Sequence, residues 1–449
     1  MYKRLLALLL ITTSCIAEEA EIVVTLETDS SLLPLYLGPI NDGEFEPSYG
    51  EKIRKVFAFD MNYNGMTTVM DRESSKDKRL REVGFDERGD LNELKNWNAY
   101  YILKGRIVGK KLNLRLLAIN NGAVKALDGI DLTGNIQSDR RQVHLVADRI
   151  FKELFNDEGV ASTKILFTIK TRNGQNHGVS EVYESDYDGH NIRALTKDAG
   201  YVVTPAYVPP KPGNKVGSFL YVSYKNGQPK IFFSSLTEFK PIRFSLLKGN
   251  QLMPAISRQR DKVCLICDIT GNPDLFMQPV SSDGTPIGKP SQIFATHRAT
   301  QGTPTFSPDG TQVAFVSNKD GSPRIYKMAI PKPGVSLKDI KAELLTRFNK
   351  ENTAPNWSPD GTKIAYTALT NGTRQIWIYD LVKRKEWQLT KGSGNKENPT
   401  WAPNSLHIMF NTTDTNRADL YMVNLNQSDA VKITSGPGEK RFPSWEPRS

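Results

Sequence analysis

The chain has 449 residues, of which 38% are hydrophobic and 24% are charged, and its formal net charge is +10. This length accommodates two or three domains with separate hydrophobic cores. Beyond the N-terminus no apolar run reaches the roughly 18 to 20 residues that a membrane-spanning helix needs, which argues against an integral membrane protein.

The first 17 residues have the pattern of a secretory signal peptide. Lys3 and Arg4 precede the apolar run 5–11, and small residues lead to Ala17. A positive start, a short apolar core and a small-residue exit define such signals. We therefore expect cleavage after residue 17 and a soluble exported protein. Cys15 offers an alternative, as a lipidated first residue, but Thr12 stands where lipoprotein signals usually carry Leu.

Residues 18–160 predict a small N-terminal α/β domain. Residues 22–26 are a short β-prone segment, and the apolar positions of 53–59 predict a helical turn leading into a strand. Segments 100–108 and 112–118 predict a hairpin. The basic residues of this hairpin alternate with apolar ones, which is typical of a solvent-facing strand surface, so we expect no nucleic-acid partner.

A long helix closes the domain. Ser138 is its predicted N-cap, and Asp139 lies favourably in the first turn. One apolar face follows at helical spacing: Val143, Val146, Ile150 and Leu154.

The rest of the chain, 161–449, is built from a repeat that begins with a proline and an aromatic or large apolar residue. The repeats start at Pro205, Pro254, Pro304, Pro355, Pro399 and Pro443, at intervals of 49, 50, 51, 44 and 44 residues. Repeats of this length that carry strands and turns are typical of β-propeller blades. The fold class is therefore mainly β, a six-bladed β-propeller preceded by the small α/β domain.

The ends of the repeat predict how the ring closes. The first blade, near Lys164, lacks a proline-aromatic strand before it, and the last such strand, at Pro443 to Trp445, has no strands after it. We expect this C-terminal strand to complete the first blade, which removes an open sheet edge.

No motif in the sequence predicts catalysis, a metal site or a cofactor. There is no Gly-x-Ser-x-Gly nucleophile elbow, no His-Glu-x-x-His and no phosphate-binding glycine loop. Cys264 and Cys267 lie on one predicted strand, three residues apart, and are expected to be two buried apolar side chains on opposite faces. We therefore expect no catalytic residues, no metal and no cofactor.

Propellers mostly bind partners at a channel mouth, through loops from several blades. The connections between a fourth strand and the next first strand carry varied polar residues, which suits protein recognition. The candidate binding residues are Tyr201, Gln251, Thr300, Gln301, Lys350, Glu351, Asn352, Lys396, Glu397, Lys440 and Arg441.

The sequence resembles the TolB family, the periplasmic component of the Tol–Pal system. The repeat Ser-Pro-Asp-Gly at 307–310 and 358–361 is shared with peptidase propellers, whereas the helix segment from Gln142 to Ile150 and the strand at 104–107 after Trp97 are closer to the TolB family. The second and third blades depart from the family because they lack Ser-Pro-Asp-Gly.

The resemblance implies a monomeric periplasmic scaffold that is not an enzyme. It implies binding of the lipoprotein Pal at the channel mouth and of the inner-membrane protein TolA by the mature N-terminus, in support of outer-membrane integrity and cell division. The matching N-terminal segment is Glu21, Ile22, Val23, Val24 and Thr25, which is suited to strand addition. The alternatives are an exported peptidase-like propeller enzyme and a propeller that binds a small ligand.

Overall fold

The computed structural model describes residues 32–172, 178–198, 200–281, 284–414 and 417–448. The predicted signal peptide, 1–17, and the predicted binding segment from Glu21 to Thr25 lie outside these ranges. Within the described ranges, no helix has both the length and the apolar character needed to traverse a bilayer.

The N-terminal domain is a five-stranded sheet with helices on both faces. Its elements are β1 (Leu33–Ile40), α1 (Tyr49–Asn62), β2 (Thr67–Val69), α2 (Ser74–Glu82), α3 (Leu91–Lys95), β3 (Tyr101–Val108), β4 (Lys111–Ala118), β5 (Val124–Asp131) and α4 (Ile136–Phe155). The strand order is β2-β1-β3-β4-β5, with β1 parallel to both of its neighbours. Helices α1 and α4 cover one face, and Leu80 of α2 and Leu94 of α3 pack on the other.

The predicted hairpin is confirmed as β3 and β4, but two helix predictions in this domain are wrong. The turn predicted at 53–59 is part of the 14-residue helix α1, because buried positions continue at helical spacing to Met61. The N-cap of α4 is Asn135 and not Ser138, since the Asn135 side chain accepts a hydrogen bond from the N–H of Gln137. The predicted apolar face of α4 is confirmed, with all four residues buried.

The propeller strands follow in chain order. They are β6 (Lys164–Arg172), β7 (Gly178–Asp186), β8 (Arg193–Ala194), β9 (Val202–Tyr207), β10 (Ser218–Ser223), β11 (Lys230–Ser235), β12 (Ile242–Arg243), β13 (Gln251–Ile256), β14 (Lys262–Cys267), β15 (Asp274–Pro279), β16 (Ser291–Phe294), β17 (Gln301–Phe306), β18 (Gln312–Ser317), β19 (Arg324–Ala329), β20 (Glu343–Leu344), β21 (Asn352–Trp357), β22 (Lys363–Thr370), β23 (Thr373–Asp380), β24 (Lys385–Gln388), β25 (Asn395–Trp401), β26 (His407–Thr413), β27 (Leu420–Asn424), β28 (Gln427–Lys432) and β29 (Glu439–Trp445). A short 3₁₀ helix, Leu337–Asp339, precedes β20.

These strands form six four-stranded antiparallel sheets in the described part of the chain, which confirms the six blades. Blade 1 consists of β29, β6, β7 and β8, and blades 2 to 6 take four consecutive strands each from β9 to β28. The predicted closure is also confirmed, because β29 pairs with β6 and places Trp445 opposite Ile165. Trp445 Nε1 then donates to Thr163 Oγ1 at 2.8 Å, across 282 positions of sequence.

The cysteine pair in blade 3 has the predicted arrangement. Cys264 and Cys267 are both free and buried in β14. Cys264 packs into the apolar cluster shared with Phe315, and Cys267 into the cluster shared with Leu220, so the two thiols lie on opposite faces of the blade. Burial raises the pKa of both thiols, which keeps them protonated and unreactive.

Candidate functional site

The antiparallel blades give the propeller two different ends. Connections from the first to the second strand and from the third to the fourth lie at one end. Connections from the second to the third strand, and from the fourth strand to the next blade, lie at the other end. We call this second end the mouth face. It contains the six blade-to-blade connections 195–201, 244–250, 295–300, 345–351, 389–394 and 433–438.

The N-terminal domain is docked on the end opposite the mouth face. His407 Nε2 lies 2.8 Å from the carbonyl oxygen of Tyr63, and Asn426 Nδ2 donates to the carbonyl of Gly65 at 2.8 Å. Among the described residues, the hydrogen bonds and ion pairs that join the two domains all fall at this end. Within the part of the chain that the structure describes, the mouth face is therefore left uncovered, while the other end contacts the N-terminal domain.

A buried charge cluster forms part of the domain junction. His144 of α4 lies with Nδ1 2.8 Å from Asp60 of α1 and with Nε2 3.3 Å from Asp188, which follows β7. Arg140 binds Asp188 as well, and the Tyr187 hydroxyl donates to Asp60 at 2.8 Å. Burial by itself lowers the pKa of His144, but the charge of Asp60, its hydrogen bond and the close carboxylate of Asp188 outweigh it and raise this pKa to about 10.

Three side chains of this cluster have the ligand types and the closeness of a metal site. Ligand atoms of His144, Asp186 and Asp188 all lie within 4.8 Å of one another. However, the guanidinium of Arg140 already donates a hydrogen bond to the carboxylate of Asp188. The raised pKa of His144 keeps its imidazole protonated, whereas a histidine that binds a metal must offer a nitrogen without a proton. The residues do not fit a metal ion, and the cluster is an ion-pair network that holds α4 against blade 1.

The channel contains a cavity of about 530 Å³ lined by the first strand of every blade. Each of these strands has one extra residue relative to its neighbour, a bulge, just before the repeat proline. The residues at the bulge all have left-handed backbone: Thr204, Met253, Thr303, Ala354, Asn398 and Phe442, with φ between 40° and 55°. Such a conformation costs about 1 to 2 kcal/mol for a residue other than glycine, so the packed ring must offset it six times.

Five of the predicted binding residues lie on the mouth face but are buried. They are Gln251, Gln301, Asn352, Lys396 and Lys440. Their polar ends turn back onto the connection beside them: Gln251 Nε2 donates to the carbonyl of Leu247 at 2.7 Å, and Lys440 Nζ donates to the carbonyl of Gly436. These side chains fix the shape of the connections and are not accessible for direct contact with a partner.

The other six predicted residues are accessible on the same face. Tyr201, Thr300 and Lys350 are exposed, and Glu351, Glu397 and Arg441 are partly exposed. Glu397 lies 3.5 Å from the guanidinium of Arg374 and accepts a hydrogen bond from Thr413, whereas Lys350 is in no ion pair with another described residue. The prediction of partner contact therefore depends on these six.

Two strongly exposed apolar side chains in the blade-to-blade connections were missed by the sequence analysis. Leu246 is 86% exposed and Phe348 is 75% exposed, each in a blade-to-blade connection. Their position in the sequence could have indicated them. Leu246 follows the pair Phe244-Ser245 and Phe348 follows the pair Leu345-Thr346, each at the end of a blade, and the other connections carry polar or small residues at these positions.

Comparisons with known proteins agree with this architecture. A family model described as the TolB beta propeller domain matches residues 151–449. The chain is 52% identical over 388 residues to a protein named TolB homolog from Protochlamydia amoebophila, across 85% of this chain and 82% of that protein. It is 39% identical over 279 residues to the TolB homolog of Chlamydia pneumoniae, across 61% of this chain and 62% of that protein.

Among solved structures, TolB from Acinetobacter baumannii matches with a TM-score of 0.72 at 19% identity. The match covers 93% of this chain and 97% of that one. At this identity the match shows a shared fold, and it extends over the N-terminal domain as well as the propeller.

Proposed function

The chain belongs to the TolB family, and on that premise we propose that it is the periplasmic scaffold of a Tol–Pal system. Its family is not one of enzymes, and neither is this chain. In this proposal the mature protein is an exported monomer that binds Pal through the mouth face and TolA through its N-terminus. The scaffold thereby supports outer-membrane integrity and invagination during cell division.

The observation that carries the Pal part of the proposal is the open mouth face. The N-terminal domain engages the opposite end of the propeller, through contacts such as His407 to Tyr63. The mouth face presents six accessible predicted residues in the blade-to-blade connections and at the adjoining strand starts, with Leu246 and Phe348 exposed among them. Exposed apolar side chains within a polar surface are typical of protein-binding sites.

The TolA part of the proposal rests on the sequence alone. The segment from Glu21 to Thr25 is β-prone and lies near the start of the predicted mature chain. A segment of this kind adds a strand to an exposed sheet edge of a partner, and its main-chain hydrogen bonds supply the affinity. If its docked and released forms differ in affinity for Pal, the two partners are energetically coupled.

Calorimetry with the organism's own Pal periplasmic domain tests the proposal. Residues 18–449 are titrated with Pal, beside a second sample that lacks residues 18–30. We expect binding in both samples, with an affinity that changes on truncation. Unchanged affinity would discard the coupling and keep the scaffold, and no binding by either folded sample would remove the Pal assignment.

A parallel titration with the periplasmic domain of TolA tests the N-terminal segment. We expect the full mature chain to bind and the truncated chain to lose binding. A matched control is the double variant Val23→Asp with Val24→Asp, which keeps the segment but lowers its β-propensity. Equal binding by all three proteins would place the TolA contact elsewhere.

The channel cavity supports one alternative, binding of a small ligand. Its volume of about 530 Å³ falls in the range of small-molecule sites, roughly 300 to 1,000 Å³. Native mass spectrometry of the purified protein tests this alternative, since a bound molecule would appear as a fixed mass increment.

A further inference from the structure

The mouth face carries a ring of cations that the proposed function does not by itself require. Five of the six blade-to-blade connections hold an exposed lysine or arginine: Lys197, Lys248, Arg298, Arg347 together with Lys350, and Lys391. None of these cations forms an ion pair with another described residue. Elsewhere on this face cations are commonly paired, as Lys225 is with Asp198 and Lys319 with Asp320.

The two most exposed apolar side chains of the mouth face lie on one side of this ring. Leu246 lies in the connection from blade 2 to blade 3, and Phe348 in the connection from blade 4 to blade 5. The connection between these two carries Arg298. On the far side, the connections 389–394 and 433–438 are rich in glycine and serine. We call the three consecutive connections 244–250, 295–300 and 345–351 the recognition arc.

The backbone beneath Phe348 is held in place although its ring is exposed. The N–H groups of Arg347 and Phe348 donate to Glu386 Oε1 at 3.0 and 2.6 Å. The Phe348 ring also lies 5.3 Å from that of Trp377. An exposed aromatic ring on a fixed backbone loses little conformational freedom when a partner covers it, which favours a large share of the binding energy at this position.

The connection that carries Leu246 is fixed in a comparable way. Arg243 Nε donates to the carbonyl of Ser245 at 3.0 Å, and the buried amide of Gln251 donates to the carbonyls of Ser245 and Leu247. The Leu246 side chain itself is 86% exposed. The recognition arc therefore presents two preorganised apolar side chains, with exposed cations between them.

We infer that the recognition arc binds an acidic protein surface that buries Leu246 and Phe348 in apolar recesses. This inference rests on the proposed function and specifies the chemistry of the partner at the mouth face. Four cations that form no ion pair with another described residue, Lys248, Arg298, Arg347 and Lys350, select a negative partner and steer its approach. The two apolar side chains supply the contacts that slow dissociation, and the far side of the ring stays outside the contact.

Binding of the mature chain to the Pal periplasmic domain tests the inference, by calorimetry and by stopped-flow kinetics at low and physiological salt. We expect Leu246→Ala and Phe348→Ala each to weaken binding by about tenfold or more. Arg298→Glu combined with Lys350→Glu should slow association and flatten its salt dependence. These side chains are exposed and make no hydrogen bonds to other described residues, so the variants should fold.

Matched controls come from the opposite end of blade 5. Val382 is 76% exposed in the connection between β23 and β24, and Lys383 beside it is also exposed. Val382→Ala and Lys383→Glu should leave the affinity within about twofold of the unmodified chain. Similar losses from the controls and the arc variants would overturn the inference.

The outcomes separate this inference from the proposed function. If the unmodified chain binds Pal and the arc variants bind equally well, the recognition arc is wrong and the scaffold stands. If the unmodified chain does not bind Pal, the proposed function fails and the inference fails with it. Binding of poly-glutamate or of anionic phosphatidylglycerol vesicles as tightly as Pal would also overturn it, because charge alone would then explain the contact.

Discussion

The backbone N–H of Trp401 donates a hydrogen bond to Oδ1 of Asn356 at 2.9 Å, and this bond joins blade 6 to blade 5. Three other blade boundaries have an equivalent bond. In each, the backbone N–H of an aromatic residue donates to the polar side chain that follows the repeat proline of the preceding blade. These bonds are Trp357 to Thr305, Trp445 to Thr400 and Tyr207 to Ser444, at 3.1 to 3.3 Å. At the two remaining boundaries, Ala206 and Ala255 occupy the acceptor position.

The first prediction is that removing one of these acceptors destabilises the ring. Thr400→Val keeps the shape of the side chain but leaves the N–H of Trp445 without its partner at a buried boundary. An unsatisfied buried donor costs about 1 to 3 kcal/mol. The unfolding midpoint in urea should therefore fall.

Thr300→Val is the matched control, because Thr300 is exposed and its hydroxyl makes no hydrogen bond to another described residue. Its midpoint should equal that of the unmodified chain. A Thr400→Val midpoint that also stays unchanged would show that the boundary bond contributes nothing to stability.

The second prediction is the converse, a gain of stability at a boundary that lacks the bond. Ala255→Ser places a hydroxyl at the position equivalent to Thr305, beside the N–H of Phe306. A new bond of this type stabilises by about 0.5 to 1.5 kcal/mol. The measurement is the urea midpoint, with Ala295→Ser in a blade-to-blade connection as the control. A lower midpoint for Ala255→Ser would show that the boundary cannot accept the hydroxyl.

The blades were predictable because their information is local and repeated. Each proline, turn and short alternating strand recurs six times, so an error in one copy is corrected by the others. The orphan strand around Trp445 even predicted the closure with β6. The wrong predictions concern helices α1 and α4 of the N-terminal domain, each of which occurs once and has no repeated copy to compare with. The side chain of Ser48, the N-cap of α1, makes no capping hydrogen bond, and α4 begins three residues before the predicted cap Ser138, with Asn135 as its N-cap.

The mouth face was predictable as a region but not residue by residue. The spacing placed Gln251 and Lys440 in the connections, but whether such a side chain faces solvent depends on how the bulge rotates the strand beneath it. The structure turns both inward, onto the carbonyls of Leu247 and Gly436. Exposed Leu246 and Phe348 were passed over because an apolar residue in sequence is more often buried than exposed.

The third prediction concerns the pH dependence of the domain junction. The pKa of His144 is about 10 in the folded chain and about 6.5 in an unfolded one. The contribution of protonated His144 to the stability of the fold is therefore fully present below pH ~6.5 and is lost as pH rises toward 10. The charged and titratable groups around it are Asp60, Asp186, Asp188 and Tyr187, together with Arg140 and His190, which contact Asp188. The free energy of unfolding, relative to that of His144→Gln, should fall by roughly 1.4 kcal/mol per pH unit within this window.

Denaturant unfolding at a series of pH values from 6 to 9.5 measures this slope. His297→Gln is the control, because His297 is exposed in a blade-to-blade connection, and its stability should follow that of the unmodified chain at every pH. Parallel curves for His144→Gln and the unmodified chain would mean that His144 does not carry the charge assigned to it.

The fourth prediction compares two tryptophans of the propeller. Trp445 is 4% exposed in the closing strand and donates to Thr163, whereas Trp387 is 37% exposed on the outer strand of blade 5. Trp445→Ala removes a buried ring and a hydrogen bond at the seam where β29 meets β6, and such a truncation costs about 3 to 5 kcal/mol. Trp387→Ala should cost less than about 1 kcal/mol. Thermal unfolding should therefore show a much lower midpoint for Trp445→Ala, and equal midpoints would mean that the seam does not limit the stability of the ring.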